Sequence, residues 1–160
     1  MSKKINLLET GNMLLAAQKI VLCCHVSPDG DTLGSALGLA RLLEQKGKEV
    51  TVFVDDDINK SLSFIPGVDK VQRPEVGVIV EADLFVVVDA STFDRGGICN
   101  EVVKAPVLLN IDHHISNTEF ADYLYLDAEA AAAGEIMCDL FEAMGWEYDE
   151  AIAVDFYTAI

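Results

Sequence analysis

Basic residues are scarce in this sequence. Eleven Lys and Arg stand against 27 Asp and Glu, a formal charge of −16 over 160 residues. So acidic a body lacks the electrostatic footprint for coating long duplex nucleic acid or an anionic membrane. It suits small substrates and bound divalent cations. Cysteine is also sparse. Four scattered residues exclude a disulfide scaffold, and the adjacent Cys23 and Cys24 read as small buried hydrophobes of a reducing compartment. Gly (11) and Pro (4) are too few for collagen-like or low-complexity chains. No apolar run reaches the roughly 18 residues of a membrane span, and Met1–Ile20 lacks a secretion signal's continuous apolar core. The expectation is a soluble cytoplasmic protein, with 1–160 forming one domain or one lobe of something larger.

What is present is an alternation of short apolar runs with helix-period segments. Lys19–His25, Glu49–Val54, Leu84–Asp89, Val107–Asp112 and Tyr123–Leu126 read as strands. Continuous apolar runs are typical of strands covered on both faces, so the sheet is expected to be mostly parallel. A helix is expected around Leu7–Leu15, a one-sided helix over Leu33–Lys46, another over Ala130–Met144 ended by Gly145, and a last one capped by Asp149. Ser27–Thr32 reads as a polar turn and Asp55–Asp57 as a solvated one. The fold class expected is α/β, with helices on both faces of a mostly parallel sheet.

In such sheets ligands collect beyond the carboxyl ends of the strands. Three apolar runs here end in metal-type residues: His25 with Asp29 and Asp31 in the loop behind it, then Asp89, then Asp112-His113-His114. Pro28-Asp29-Gly30-Asp31 is also ordinary turn chemistry, and an isolated strand-end aspartate is commonly a turn residue or cap. Two adjacent histidines after an aspartate are harder to explain by packing, since a buried imidazole needs partners. All three histidines of the chain lie in these loops. Imidazole mixed with carboxylate suits Mn²⁺, Mg²⁺, Fe²⁺ or Zn²⁺. A central carboxylate such as Asp89 could serve two ions at once, the arrangement of a two-metal hydrolase acting through an activated water. Thr32-Leu33-Gly34-Ser35 opens a helix whose free amides could attract a phosphate.

The segments HVSPDGDTLGSALGLARLL, FIPGVDKV, VVVDAS, NIDHHISNTEFAD and AGEIMCDLF resemble the DHH phosphoesterase superfamily. Within it the likeness is to the bacterial oligoribonuclease (nanoRNase) and 3′-phosphoadenosine 5′-phosphate phosphatase group, from about Ile20 to the last residue. The resemblance implies two divalent ions, Mn²⁺ foremost with Mg²⁺ or others open, and hydrolysis of phosphomonoester or phosphodiester bonds. By position, His25 and Asp29 would hold one ion, Asp31 and His113 the other, with Asp89 bridging. His114 would contact the scissile phosphate, Asp112 would orient the site, Asn117 would support it, and Arg95 either would meet a substrate phosphate or, the more ordinary reading, is a plain exposed surface arginine. The partners implied are short oligonucleotides or nucleotide phosphates, with no long duplex and no membrane; a homodimer stays open.

Two departures accompany the resemblance. The family's fourth metal motif is an aspartate shortly after a segment like Phe156–Ile160, and its smaller substrate-holding domain would follow. Residues 1–160 therefore read as the metal-binding domain cut before that motif, with the second ion held weakly and little turnover. Asp155 is not the equivalent of that aspartate and reads as an exposed helix residue. Ala130–Ala133 stands where relatives often carry hydroxyl residues; this would loosen a polar contact or strengthen the helix. The alternatives are a manganese-dependent pyrophosphatase or exopolyphosphatase, and a nucleotide-binding module without turnover.

Overall fold

The apolar runs form the strands of a six-stranded sheet. In the computed structural model, which describes residues 1–160, the strands are β1 (Lys3–Lys4), β2 (Lys19–Cys23), β3 (Glu49–Phe53), β4 (Val80–Glu81), β5 (Leu84–Val88), β6 (Val103–Lys104), β7 (Leu108–Asp112) and β8 (Tyr123–Leu126). The helices are α1 (Leu7–Ala16), α2 (Gly30–Gln45), α3 (Cys99–Val102), α4 (Ala133–Met144) and α5 (Glu150–Ala159). The main sheet runs β1-β8-β7-β5-β2-β3, and every pair in it is parallel. β4 and β6 form a separate two-stranded ladder.

Strand residues alternate between two cores. Ile20, Leu22, Val86, Val88, Leu109 and Ile111 face the larger one, against α1, α2, α4 and α5. Val21, Cys23, Phe85 and Val87 face the smaller, closed by Cys99, Val102 and Val103 around the one-turn α3. The expected parallel α/β architecture is observed, with unequal layers. All four long helices lie on one side, and the other carries only α3, a 3-10 turn at Phe93–Gly96 and the small ladder. From β2 the chain places β3 on one flank and β5 on the other, so sheet growth reverses between the tips of β2 and β5. That gap is where open parallel sheets bind ligands.

α2 differs from its reading in two ways. It begins at Gly30 rather than Leu33, because the Asp29 carboxylate caps it by accepting from the Thr32 amide at 3.1 Å. It is also not one-sided, since every residue from Thr32 to Ala40 is buried. Gly34 and Gly38 let α5 approach its remaining face, and a Cβ at Gly34 would strike the Asp155 carbonyl oxygen.

Asp155 corrects the sequence reading. It is fully buried, 3.4 Å from Nε of Arg41, and its Oδ1 has no hydrogen-bond partner. Burial, partly offset by Arg41, pushes its pKa up to about 6. α4 likewise starts at Ala133 rather than Ala130, so most of the alanine run precedes the helix and does not strengthen it.

Candidate metal centre at the strand tips

β2, β5 and β7 are neighbours in the sheet, and the residues following them converge. Asp89 sits at the centre, 2% exposed. Its backbone turns to φ +59°, a left-handed conformation that aspartate tolerates better than most residues. That turn swings the carboxylate off the end of β5 toward both neighbouring loops. Oδ2 lies 3.5 Å from Nε2 of His25, and Oδ1 lies 3.4 Å from Nε2 of His113. Asp29 approaches Nε2 of His25 at 3.7 Å, and Asp31 approaches Nε2 of His113 at 3.6 Å.

The three imidazoles are oriented in the same way. Nδ1 of His25 donates to the Val26 carbonyl at 2.7 Å, and Nδ1 of His113 to the Ala130 carbonyl at 3.1 Å. A carbonyl only accepts, so each Nδ1 carries a proton and each Nε2 is directed at carboxylates. Nδ1 of His114 contacts Asp112 Oδ1 at 2.7 Å. Asp112 is fully buried; it also accepts from the His113 amide at 2.9 Å and from Asn117 Nδ2 at 2.6 Å.

Two compact groups of potential ligands result, His25-Asp29-Asp89 and Asp89-His113-His114, and Asp89 belongs to both. The second contains His114 where the motif reading put Asp31. His114 Nδ1 is already committed to Asp112, so its free nitrogen is Nε2. Both Asp31 oxygens accept backbone amides that open α4, Ala133 at 2.9 Å and Gly134 at 2.9 Å, and Oδ1 also accepts from Ser35 at 3.2 Å.

The electrostatics follow. Burial works against a charged His25, but Asp29, Asp89 and the Val26 carbonyl outweigh it and bring its pKa to about 9. The His25 contact and the Thr32 amide bring Asp29 down to about 2. Burial and the charge of Asp89 raise Asp31. His25 is therefore protonated at neutral pH, and any cation bound there would have to displace that proton. The affinity of a divalent cation held by His25 and Asp29 would fall about tenfold per unit as pH drops below 9, until Asp29 also takes up a proton. Calorimetry near pH 7.5 in buffers of different ionisation enthalpy would then show about one proton released per cation bound by His25 and Asp29. Stability of the metal-free fold has the opposite sign: the His25 contribution is full below its ordinary pKa near 6.5 and is lost as pH rises through 9.

Of the residues singled out from the sequence, His25, Asp29, Asp31, Asp89, Asp112, His113, His114 and Asn117 all meet in this region. Arg95, read with substrate contact or plain surface exposure as its alternatives, is half-buried; its carbonyl accepts from the Val26 amide at 2.8 Å, and its charge is felt at His25. The amides at the start of α2, expected to attract phosphate, are already engaged by Asp29. Sequence reasoning missed Asn110 and Thr32. Asn110 is fully buried, donates to the Val87 carbonyl at 3.0 Å and accepts from Asn117 at 2.7 Å. Its signal was a lone polar residue inside an apolar strand. Thr32 donates to the Val88 carbonyl at 3.2 Å and so ties α2 to the tip of β5.

A parallel sheet whose central strand tips gather three imidazoles and three further carboxylates around Asp89 defines an α/β fold with a candidate metal site. Residues 19–160 match the DHH family, N-terminal domain, and the chain belongs to that family. It is 33% identical over 144 residues to the bifunctional oligoribonuclease and PAP phosphatase NrnA of Thermus thermophilus, covering 88% of this chain and 42% of that protein. An exopolyphosphatase-related protein from Bacteroides fragilis superimposes with a TM-score of 0.86 at 28% identity, over 95% of this chain and 48% of that one. A protein of Enterococcus faecalis named "Probable manganese-dependent inorganic pyrophosphatase" is 28% identical over 69% of this chain and 36% of its own length. The chain thus spans less than half the length of each of these three relatives. No helix is long and apolar enough to cross a membrane.

Proposed function

We propose that the protein is a dinuclear-metal phosphoesterase acting on short oligoribonucleotides or on nucleotide 3′-phosphates such as 3′-phosphoadenosine 5′-phosphate. The observation that carries the proposal is Asp89. Its Oδ1 is buried with no hydrogen-bond donor, yet it faces imidazole nitrogens on one side while Oδ2 faces another imidazole. A buried carboxylate oxygen without a donor is costly unless a cation compensates it. His25 and Asp29 would hold one divalent ion, Asp31 and His113 the second, and Asp89 would serve both. Imidazole and hard oxygen donors fit Mn²⁺ or Mg²⁺. Such a pair makes water acidic enough to act as a nucleophile near neutral pH and neutralises phosphoryl charge.

The chain's own residues supply the rest. Asp112 keeps the Nδ1 proton of His114 in place, leaving Nε2 to engage the scissile phosphate, and Asn117 braces Asp112. Arg95 adds positive charge beside His25 for a substrate phosphate. The nuclease and phosphatase named among the relatives supports nucleotide substrates.

The pyrophosphatase reading is kept because a relative bears that name. Full-length protein loaded with Mn²⁺ should hydrolyse a dinucleotide and 3′-phosphoadenosine 5′-phosphate much faster than pyrophosphate, and a chelator should stop it. The reverse preference would favour the pyrophosphatase. Nucleotide binding without hydrolysis would favour a module without turnover.

A further inference from the structure

The charge run Asp55–Asp57 after β3, read as a solvated turn, is bonded into the site loops. Asp56 Oδ2 accepts from the Ser27 amide at 3.0 Å and from its hydroxyl at 3.4 Å. Ser27 is held at φ +54°, a left-handed conformation that serine adopts only when its surroundings fix it. Asp55 Oδ2 accepts from the Ile98 amide at 2.8 Å, and its side chain fills the space where a Cβ on Gly97 would stand. Gly97, at φ +58°, closes the turn whose Arg95 carbonyl accepts from the Val26 amide at 2.8 Å. The Val26 carbonyl in turn fixes the His25 ring. Two adjacent carboxylates therefore grip the His25–Asp29 loop from both sides, Asp56 directly at Ser27 and Asp55 through the Arg95 turn.

We infer that Asp55 and Asp56 are positioning residues for the His25/Asp29 half of the metal centre. They act by fixing the backbone of residues 26–28 and not by touching metal or substrate. The Asp31/His113 half is outside this grip, because the start of α4 holds Asp31 and the Ala130 carbonyl holds His113. Asp57 makes a different contact. It pairs with Arg73 at 3.2 Å on the surface and reaches no site loop. The inference rests on the proposed metal function for its consequence, though not for its geometry.

Full-length protein carrying D56A, D56N, D55A or D57A, titrated with Mn²⁺ by calorimetry and followed by amide hydrogen exchange without metal, separates the cases. D56A and D55A should weaken one class of Mn²⁺ site about tenfold, the scale of losing a supporting residue, and leave the other class unchanged. They should also accelerate exchange at Ser27 and Ile98 respectively. D56N keeps an oxygen that accepts from the Ser27 amide, so it should bind Mn²⁺ like wild type, as should D57A. Equal weakening by D56A, D56N and D57A would mean that lost charge, not lost positioning, is responsible, and would overturn the inference. So would unchanged Mn²⁺ affinity in D56A. Should the wild type bind no Mn²⁺, the metal reading fails. The exchange comparison then decides the clamp alone: faster exchange at Ser27 in D56A but not D56N upholds it, and unchanged exchange refutes it.

Discussion

Replacing Asp89 with asparagine is expected to lower Mn²⁺ affinity at both halves of the centre by at least about 100-fold, beyond what loss of a supporting residue brings. The two carboxylate oxygens are divided between His25 and His113, so one substitution reaches both groups. Asparagine keeps the volume and tolerates φ +59°, which makes it a cleaner probe than alanine; alanine would add left-handed strain of about 1–2 kcal/mol. Stability without metal should change by no more than about 1 kcal/mol. The lost attraction to His25 is offset by relief of an oxygen that has no donor. Calorimetry with Mn²⁺ and thermal melts in chelator read the two effects separately. A variant that keeps near-native affinity at either half would show that Asp89 is not shared.

The largest stability loss is expected from Gly34→Ala. An added methyl there would meet the Asp155 carbonyl oxygen and come within 3.1 Å of the Ala159 Cβ, so relief requires α2 and α5 to separate. Overpacking against backbone belongs at the top of the usual range, about 3 kcal/mol, or about 6–12 °C in Tm for a chain of this size. Gly47→Ala is the comparison. Gly47 has φ +78° with nothing within 4 Å, so that change adds only conformational strain of about 1 kcal/mol. A melt in which the Gly47 variant is the less stable of the two would reject close packing of α2 on α5 as the stronger constraint.

How much of this was legible in the sequence follows from the range of each interaction. The site motifs were readable because each is a short cluster at the end of an apolar run, and parallel topology brings such ends together. Asp55, Asp56 and Asp155 were not. Their partners lie 43, 29 and 114 positions away, and locally each looks like an ordinary surface acid. The same limit hid β1, β4 and β6, two-residue strands with no periodicity to read. The start of α2 was misjudged for a different reason. Pro-Asp-Gly-Asp has turn composition, yet its Asp29 serves as a helix cap.

The start of α4 shows what that long-range dependence means. Ala132 occupies the cap position and offers no side chain to the first amides; Asp31, 102 positions earlier than Ala133, bonds them instead. The helix's own start signal is limited to Glu135, whose carboxylate accepts from the Ala131 amide at 2.7 Å just ahead of it, and its first two amides are addressed from another part of the chain. Transplanted without Asp31, the segment would fray at its first turn. Within this fold, any ligand that draws on the Asp31 carboxylate draws on the same oxygens that begin α4, so the Ala133 and Gly134 amides form a built-in reporter of what happens at the centre.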